Sequence, residues 1–172
     1  MKRTTFLYIL IALFSLSCKA QPKHELRAAW LTTVGGLDWP HNYAQSTKSI
    51  RRQQEELCRT LDLLKEAHVN TVLFQTRIRG TVIYPSTQEP WDGCTSGNPG
   101  QNPGYDPLQF AIDECHRRGM ELHAWVVTIP IGKWNGAGAR NLMRRNPRLV
   151  KRIGDEAYMN PEAAGTADYL AD

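Results

Sequence analysis

The sequence predicts an α/β fold built on a parallel sheet, of the (β/α)8-barrel type, with about the first three βα units present among its 172 residues. Two observations support this prediction. Apolar, β-branched runs alternate with segments of helical periodicity, as in parallel strands joined by right-handed crossovers. All five tryptophans lie late in a predicted strand or in the loop that follows it, and that end of the strands is where (β/α)8 barrels bind their ligands.

The predicted elements follow one another along the chain from residue 26. Asp106 suits a helix N-cap, Pro107 suits the first helical position, and Gly119 suits the stop. The predicted elements are strand one at 26–34, a helix near 48–68, strand two at 69–77, a helix from Asp106 to Gly119, strand three at 120–130, a helical stretch near 139–150, and a helix capped by Asn160 that continues to residue 172.

The first twenty residues predict an export signal that is separate from the fold. Two basic residues precede an apolar stretch at 6–17, which is too short to span a bilayer comfortably. The cysteine that follows this stretch favours lipidation of Cys18, and the alternative is ordinary cleavage after Ala20. We therefore expect an exported protein, either lipid-anchored at the cell envelope or periplasmic or secreted. Residues 21–172 would then form the folded part.

Charge and cysteine content exclude several classes of function. The net charge of +4 is small, and the basic run at 144–152 is more typical of a solvated helix end than of a nucleic-acid site. Three cysteines besides Cys18 argue against a complete disulfide framework, although a bridge between Cys94 and Cys115 stays open. No CxxC, HxH or HExxH spacing occurs, so the sequence predicts neither a metal site nor a cofactor.

Aromatic and polar residues gather at the predicted carboxyl ends of the strands, above all in the stretch from Asn70 to Gly93. An aromatic ring can stack on the C–H face of a pyranose while guanidinium and carboxylate groups reach its hydroxyls. These residue types together predict a sugar-binding site. The predicted substrate-binding residues are Trp30, Trp39, His41, Gln75, Arg77, Arg79, Tyr84, Glu89, Trp91, His123, Trp125 and Trp134.

Several of these residues have a structural alternative. Gln75 and Arg77 point to one side of strand two, and the alternative there is a structural ion pair with a carboxylate on a neighbouring strand. A strand histidine such as His123 is often a hydrogen-bonded core group, and a loop glutamate such as Glu89 is often merely exposed. The loop that carries Trp39 could be a lid without ligand contact.

Four segments of the sequence resemble the glycosyl hydrolase-like family 10, a family of exported bacterial (β/α)8 barrels. The segments are AAWLTTVGGLDWPHN, NTVLFQTRIRGTVIYPSTQEPWDG, GYDPLQFAIDECHRRGMELHAWVVTIP and YMNPE. The resemblance covers nearly all of residues 25–172. It implies O-glycosyl hydrolysis of a polysaccharide, with bacterial cell-wall glycan or an environmental glycan as the substrate.

This sequence departs from the family in one respect that bears on mechanism. Family members are longer and typically carry an Asp-Gly…Asp-Tyr stretch on a fourth strand, expected just after residue 171. The resemblance therefore implies the amino-terminal part of such an enzyme, without the expected catalytic carboxylates. The local acids Asp38, Glu89 and Asp92 are assigned binding roles, and no catalytic residue is named.

Two other functions are left open by the sequence. One is a non-catalytic, glycan-binding lipoprotein of the cell envelope, which would share the same tryptophans. The other is a metal-dependent barrel hydrolase, for which Asp38, His41 and His123 are the available ligands.

Overall fold

A computed structural model describes residues 25–171 of the chain. The predicted signal at residues 1–20, with the lipidation site Cys18, lies outside the described residues. The principal element is a parallel sheet in the order β1 (Ala28–Leu31), β2 (Thr71–Arg77) and β3 (Glu121–Val126). Strand two is buried along most of its length, as the central strand of a parallel sheet should be.

Two long helices cover one face of this sheet. They are α1 (Thr47–Glu66) and α3 (Pro107–Arg117), and between them along the chain lies the short α2 (Gly93–Ser96). Strand and helix side chains form one buried core, to which the largest contributors are Leu31, Leu57, Leu61, Val72, Phe74, Ala111 and Cys115. Because strand side chains alternate, the residues next to these core positions point to the opposite face of the sheet.

The signals at the helix ends explain where the two long helices begin. The Asp106 carboxylate accepts a hydrogen bond of 3.0 Å from the Gln109 N–H, and Pro107 occupies the first turn. Gly119 follows α3 with a φ of 67°, so the predicted cap, first turn and stop are all confirmed. The start of α1 is fixed by a reciprocal cap in which Ser46 and Ser49 each bond the other's backbone N–H.

A second, antiparallel sheet follows the parallel one, and the sequence did not predict it. Its strands are β4 (Pro130–Lys133), β5 (Val150–Ile153) and β6 (Glu156–Met159), in the order β4-β6-β5. The helix α4 (Ala137–Arg145) packs against this sheet over a separate core that includes Ile131, Leu142, Leu149, Ala157 and Met159.

Three predicted boundaries near this second sheet are therefore wrong. Strand three ends at Val126 instead of residue 130, and the helical stretch ends at Arg145 before Val150 begins a strand. The helix predicted from Asn160 is α5 (Thr166–Ala171), which begins later than predicted. The signal that was missed is the Gly154-Asp155 pair, a two-residue hairpin loop in which Gly154 has a φ of 60°.

The parallel sheet is open between residues 25 and 171, so closure into an eight-stranded barrel stays a prediction. Among these residues, no helix combines the length and the apolar character that a bilayer-crossing segment requires. Cys58, Cys94 and Cys115 are free thiols, so the bridge left open between Cys94 and Cys115 is not formed.

Candidate functional site

The loops that leave the carboxyl ends of β1, β2 and β3 meet and enclose a cleft, here called the loop cleft, of about 570 Å³. That volume lies within the range of small-molecule sites in proteins. Two predicted site residues, His41 and Arg79, line the loop cleft. The parallel sheet thus brings residues from separate loops to one end, as expected of a βα architecture.

Arg77 and Glu89 form a buried, two-pronged ion pair beside the end of β2. The Arg77 Nε and Nη2 atoms donate to the two Glu89 carboxylate oxygens at 2.7 and 2.6 Å. Both side chains are almost inaccessible, with 4% and 7% of their surfaces exposed. The remaining Arg77 nitrogen, Nη1, donates to the backbone carbonyls of Val127 and Thr128, which follow β3. Arg77 therefore forms the ion pair of the structural alternative, but its carboxylate comes from the loop after β2 and not from a neighbouring strand. The arrangement joins two neighbouring loops.

Two tyrosines complete a smaller pocket of about 310 Å³ around this ion pair. The Tyr169 hydroxyl donates to the Glu89 carboxylate at 3.1 Å. Burial, followed by the nearby charge of Glu89, raises the pKa of Tyr169 and also that of Tyr84. A phenol is protonated at neutral pH even at its ordinary pKa, so both hydroxyls carry a proton, which Tyr169 donates to Glu89.

Trp30, His123 and Trp125 lie on the open face of the parallel sheet, opposite the helices. Trp30 pairs in register with Leu73, which in turn pairs with His123. The rings of Trp30 and Trp125 meet edge to face, with centroids 4.8 Å apart, and 62% of Trp30 is exposed. His123 contacts Glu121 at 3.4 Å and is also exposed, so it is not a core group. This face presents aromatic surface to solvent.

Trp39 and Gln75 lie beneath the site and serve as scaffold. Trp39 is fully buried, and its indole N–H donates to the Gln53 carbonyl at 2.9 Å, so it cannot stack on a ligand. It is a core residue and neither the predicted binding residue nor a lid. The Gln75 side-chain oxygen accepts from the backbone N–H groups of Thr33 and Val34, both at 2.9 Å, and so holds the loop after β1.

Trp91 and Trp134 are each half-buried and lie apart from the aromatic pair on the sheet. Trp91 bridges to Val82 within the long loop after β2. Trp134 packs against the second core, and the Arg152 guanidinium lies 5.1 Å from its ring centroid. The ligand role predicted for these two tryptophans stays a prediction.

The acids at this end of the sheet all have partners in the structure. Asp92 caps α2 by accepting from the Cys94 N–H at 2.7 Å, and it also accepts from the Thr81 hydroxyl at 2.6 Å. Asp38 accepts from the Thr32 N–H at 2.7 Å. The His41 ring contacts the Glu56 carboxylate, which also accepts from the Asn42 amide at 3.0 Å. Within residues 25–171, no cluster of three or more His, Cys, Asp or Glu side chains is suited to a metal ion.

Sequence reasoning missed three residues that the structure brings to these pockets. Tyr43, which is 55% exposed, and Lys133 line the loop cleft, and Tyr169 closes the ion-pair pocket. Lys133 pairs with Glu156 at 2.8 Å, and this partner raises the pKa of its ammonium group. Tyr43 lies in the same loop as the predicted site residues Trp39 and His41, so the sequence could have identified it. Lys133 and Tyr169 lie far along the chain, in a segment whose fold was predicted incorrectly.

Comparison with known proteins identifies relatives over the whole described part of the chain. Residues 25–171 match the family model described as glycosyl hydrolase-like 10. The Escherichia coli K12 protein called glycosyl hydrolase DigH is 45% identical over 109 residues, which cover 61% of this chain and 25% of DigH. Glycosyl hydrolase YngK of Bacillus subtilis strain 168 is 32% identical over 155 residues, which cover 88% of this chain and 30% of YngK. The chain thus spans about a quarter to a third of the length of these curated relatives.

A solved structure shares the architecture at low sequence identity. The noncanonic maltogenic α-amylase AmyB of Thermotoga neapolitana matches with a TM-score of 0.50 and 14% identity, covering 83% of this chain and 34% of the amylase. At that identity the likeness bears on the fold alone.

Proposed function

Because the chain belongs to the glycosyl hydrolase-like 10 family, we propose that it contributes the sugar-binding face of an enzyme that hydrolyses O-glycosidic bonds in a polysaccharide. The observation that carries this proposal is the edge-to-face pair on the open face of the sheet, formed by Trp30, which is 62% exposed, and the half-buried Trp125. In a closed (β/α)8 barrel this face of the sheet would form the interior, and an indole near the strand ends there can stack on the apolar face of a pyranose.

The surroundings of the aromatic pair support a polymeric, polar ligand. Trp125 pairs in register with Gln75, and the Arg77 guanidinium reaches the carbonyls just beyond β3, so the ion-pair pocket adjoins the open face. Tyr84 offers a protonated hydroxyl there, and the Tyr169 oxygen, whose proton is donated to Glu89, can accept a hydrogen bond. A chain of sugars could therefore stack on the indoles and reach polar groups at the end of the strands. Bacterial cell-wall glycan and environmental polysaccharides are the proposed substrates.

Hydrolysis is tested with the full natural chain and a panel of peptidoglycan sacculi, cellulose, xylan and starch, by measuring the reducing ends released. Release from at least one polysaccharide, reduced in Trp125→Ala, is the expected result. Binding without any release would favour the second candidate function, a glycan-binding protein without catalysis. That candidate shares the same aromatic face, so the release of reducing ends is the measurement that separates the two functions.

We expect Trp30→Ala and Trp125→Ala each to weaken binding of an oligosaccharide by about 1–3 kcal/mol, with the stacking of a nucleobase on an aromatic side chain as the guide. Isothermal titration calorimetry against the bound glycan measures the change. Leu63→Ala is the matched control because Leu63 is 66% exposed on the outer side of α1. Unchanged affinity in both tryptophan variants, with the fold intact by circular dichroism, would refute the role of the open face.

We also propose that the protein is exported and anchored through a lipid on Cys18, because an apolar stretch ends at Ser17 and is followed directly by that cysteine. Mass spectrometry of the mature amino terminus should show a diacylated or triacylated Cys18, and Cys18→Ala should release the protein from membranes. A free amino terminus at Gln21 would instead demonstrate ordinary secretion.

A further inference from the structure

We propose that the loop cleft binds a carboxylate carried by a sugar of the substrate, and that Arg79 is the residue that receives it. This inference rests on the proposed glycan function and names the class of glycan, one that contains acidic sugars.

Arg79 differs from its neighbour Arg77 in having no partner among residues 25–171. The guanidinium of Arg77 is fully engaged by Glu89 and two carbonyls, whereas Arg79 is exposed in the loop cleft and forms no ion pair or side-chain hydrogen bond with a described residue. The other cation of the cleft, Lys133, is paired with Glu156. Arg79 is therefore the available cation among the described residues of the cleft, and a guanidinium binds a carboxylate through two parallel hydrogen bonds.

Glycines of the β3–α4 segment make the space in which Arg79 lies. The Cβ of any other residue at Gly132 would come within 3.2 Å of the Arg79 Cδ atom, so the absent side chain makes room for the arginine stem. A Cβ at Gly138 would lie 2.6 Å from the Gly80 carbonyl oxygen and would displace the backbone next to Arg79. The close approach of these segments holds Arg79 at the cleft, which lowers the entropy cost of using it for binding.

The rest of the loop cleft suits the remainder of a sugar. The Tyr43 ring rests against Gly97, where a Cβ would lie 3.1 Å from the ring, and the tyrosine is otherwise 55% exposed. Asp92 faces the cleft with a carboxylate that already accepts two hydrogen bonds, and such a group has further lone pairs for sugar hydroxyls. A neutral sugar would use Tyr43 and Asp92 alone, so Arg79 adds selectivity for the acidic form.

The probes that test this proposal are methyl β-D-glucuronide and methyl β-D-glucoside, which differ by a carboxylate in place of a hydroxymethyl group. Each is titrated into the ¹⁵N-labelled full chain, and amide shifts are followed by NMR. We expect the glucuronide to bind at least about tenfold more tightly than the glucoside, as one charge-assisted contact allows. Shifts should centre on the loops that line the cleft, and Arg79→Gln should abolish the preference.

Arg148→Gln is the matched control, since Arg148 is an equally exposed arginine outside the loop cleft, and it should keep the preference. Equal affinity for the two glycosides, or a preference that survives Arg79→Gln, would overturn the proposal. The outcome is separable from the proposed function. Hydrolysis of neutral glycans with no glucuronide preference would refute only the acidic-sugar inference, and glucuronide binding without hydrolysis of any glycan would refute only the catalytic proposal.

Discussion

Replacing Arg77 by methionine is expected to lower the free energy of unfolding by about 3–5 kcal/mol, because it leaves the Glu89 carboxylate buried without its partner. Glu89 is only 7% exposed and would keep the Tyr169 hydroxyl as its single strong donor. The carbonyls of Val127 and Thr128 would also lose the Arg77 guanidinium. The variant should therefore loosen the end of β3 together with the loop after β2.

Urea denaturation measures this change, with Arg79→Met as the matched control two residues along the chain. Arg79 is exposed, so its replacement should change stability by no more than about 0.5 kcal/mol. The double variant Arg77→Met/Glu89→Gln should recover part of the loss, since it removes the stranded charge. A stability of Arg77→Met close to that of the wild type would show that the pair is not a structural element of this end of the sheet.

Replacing Trp39 by alanine should also lower the free energy of unfolding by about 3–5 kcal/mol, the range for deleting a large buried aromatic side chain. Trp39 has no exposed surface, packs against Phe74 with ring centroids 5.7 Å apart, and donates to the Gln53 carbonyl. Loss of the ring would open a cavity between β2 and α1 and leave that carbonyl short of a donor. Thermal unfolding followed by circular dichroism should show a large drop in midpoint.

Trp30→Ala provides the contrast, because Trp30 is 62% exposed and its loss should barely change the unfolding midpoint. Glycan binding should be affected by replacement of the exposed Trp30 and not by a conservative replacement of the buried Trp39. Trp39→Phe, which keeps most of the buried ring, should bind glycan like the wild type, while Trp30→Ala should not. A Trp39→Ala protein that melts normally but no longer binds glycan would contradict the core position of this residue.

The amino-acid sequence by itself determined the parallel sheet, its helices and the end of the sheet at which the candidate site is proposed. Each of these depends on signals between near neighbours in the chain. The apolar run of Thr71–Arg77 predicts a buried central strand, and Asp106, Pro107 and Gly119 mark the limits of a helix through contacts within one or two turns. Because parallel strands all end at the same edge, their order alone placed the functional loops together.

Only the tertiary structure decided what each side chain at that end does. Trp30 and Trp39 both lie in or just after the predicted first strand and were both predicted to bind substrate. Trp30 is exposed on the sheet, whereas Trp39 is fully buried in the core. Arg77 and Arg79 lie two residues apart, yet one is neutralised by Glu89 and the other is free among the described residues. Burial and pairing depend on which distant segments come into contact, and local sequence patterns do not predict those contacts.

The antiparallel sheet is a part of the fold that the tertiary structure revealed and the sequence did not predict. Its three strands have only four residues each, too few for a period of two to stand out from a helical pattern. They are stabilised by pairing with one another and by a core that α4 completes. The pairing of β5 with β6 is local, through the Gly154-Asp155 loop, whereas β4 pairs with β6 between residues more than twenty positions apart. The loop cleft depends on β4, since Gly132 and Lys133 form part of its wall. This wall of the cleft therefore followed from long-range pairing, which the sequence does not display locally.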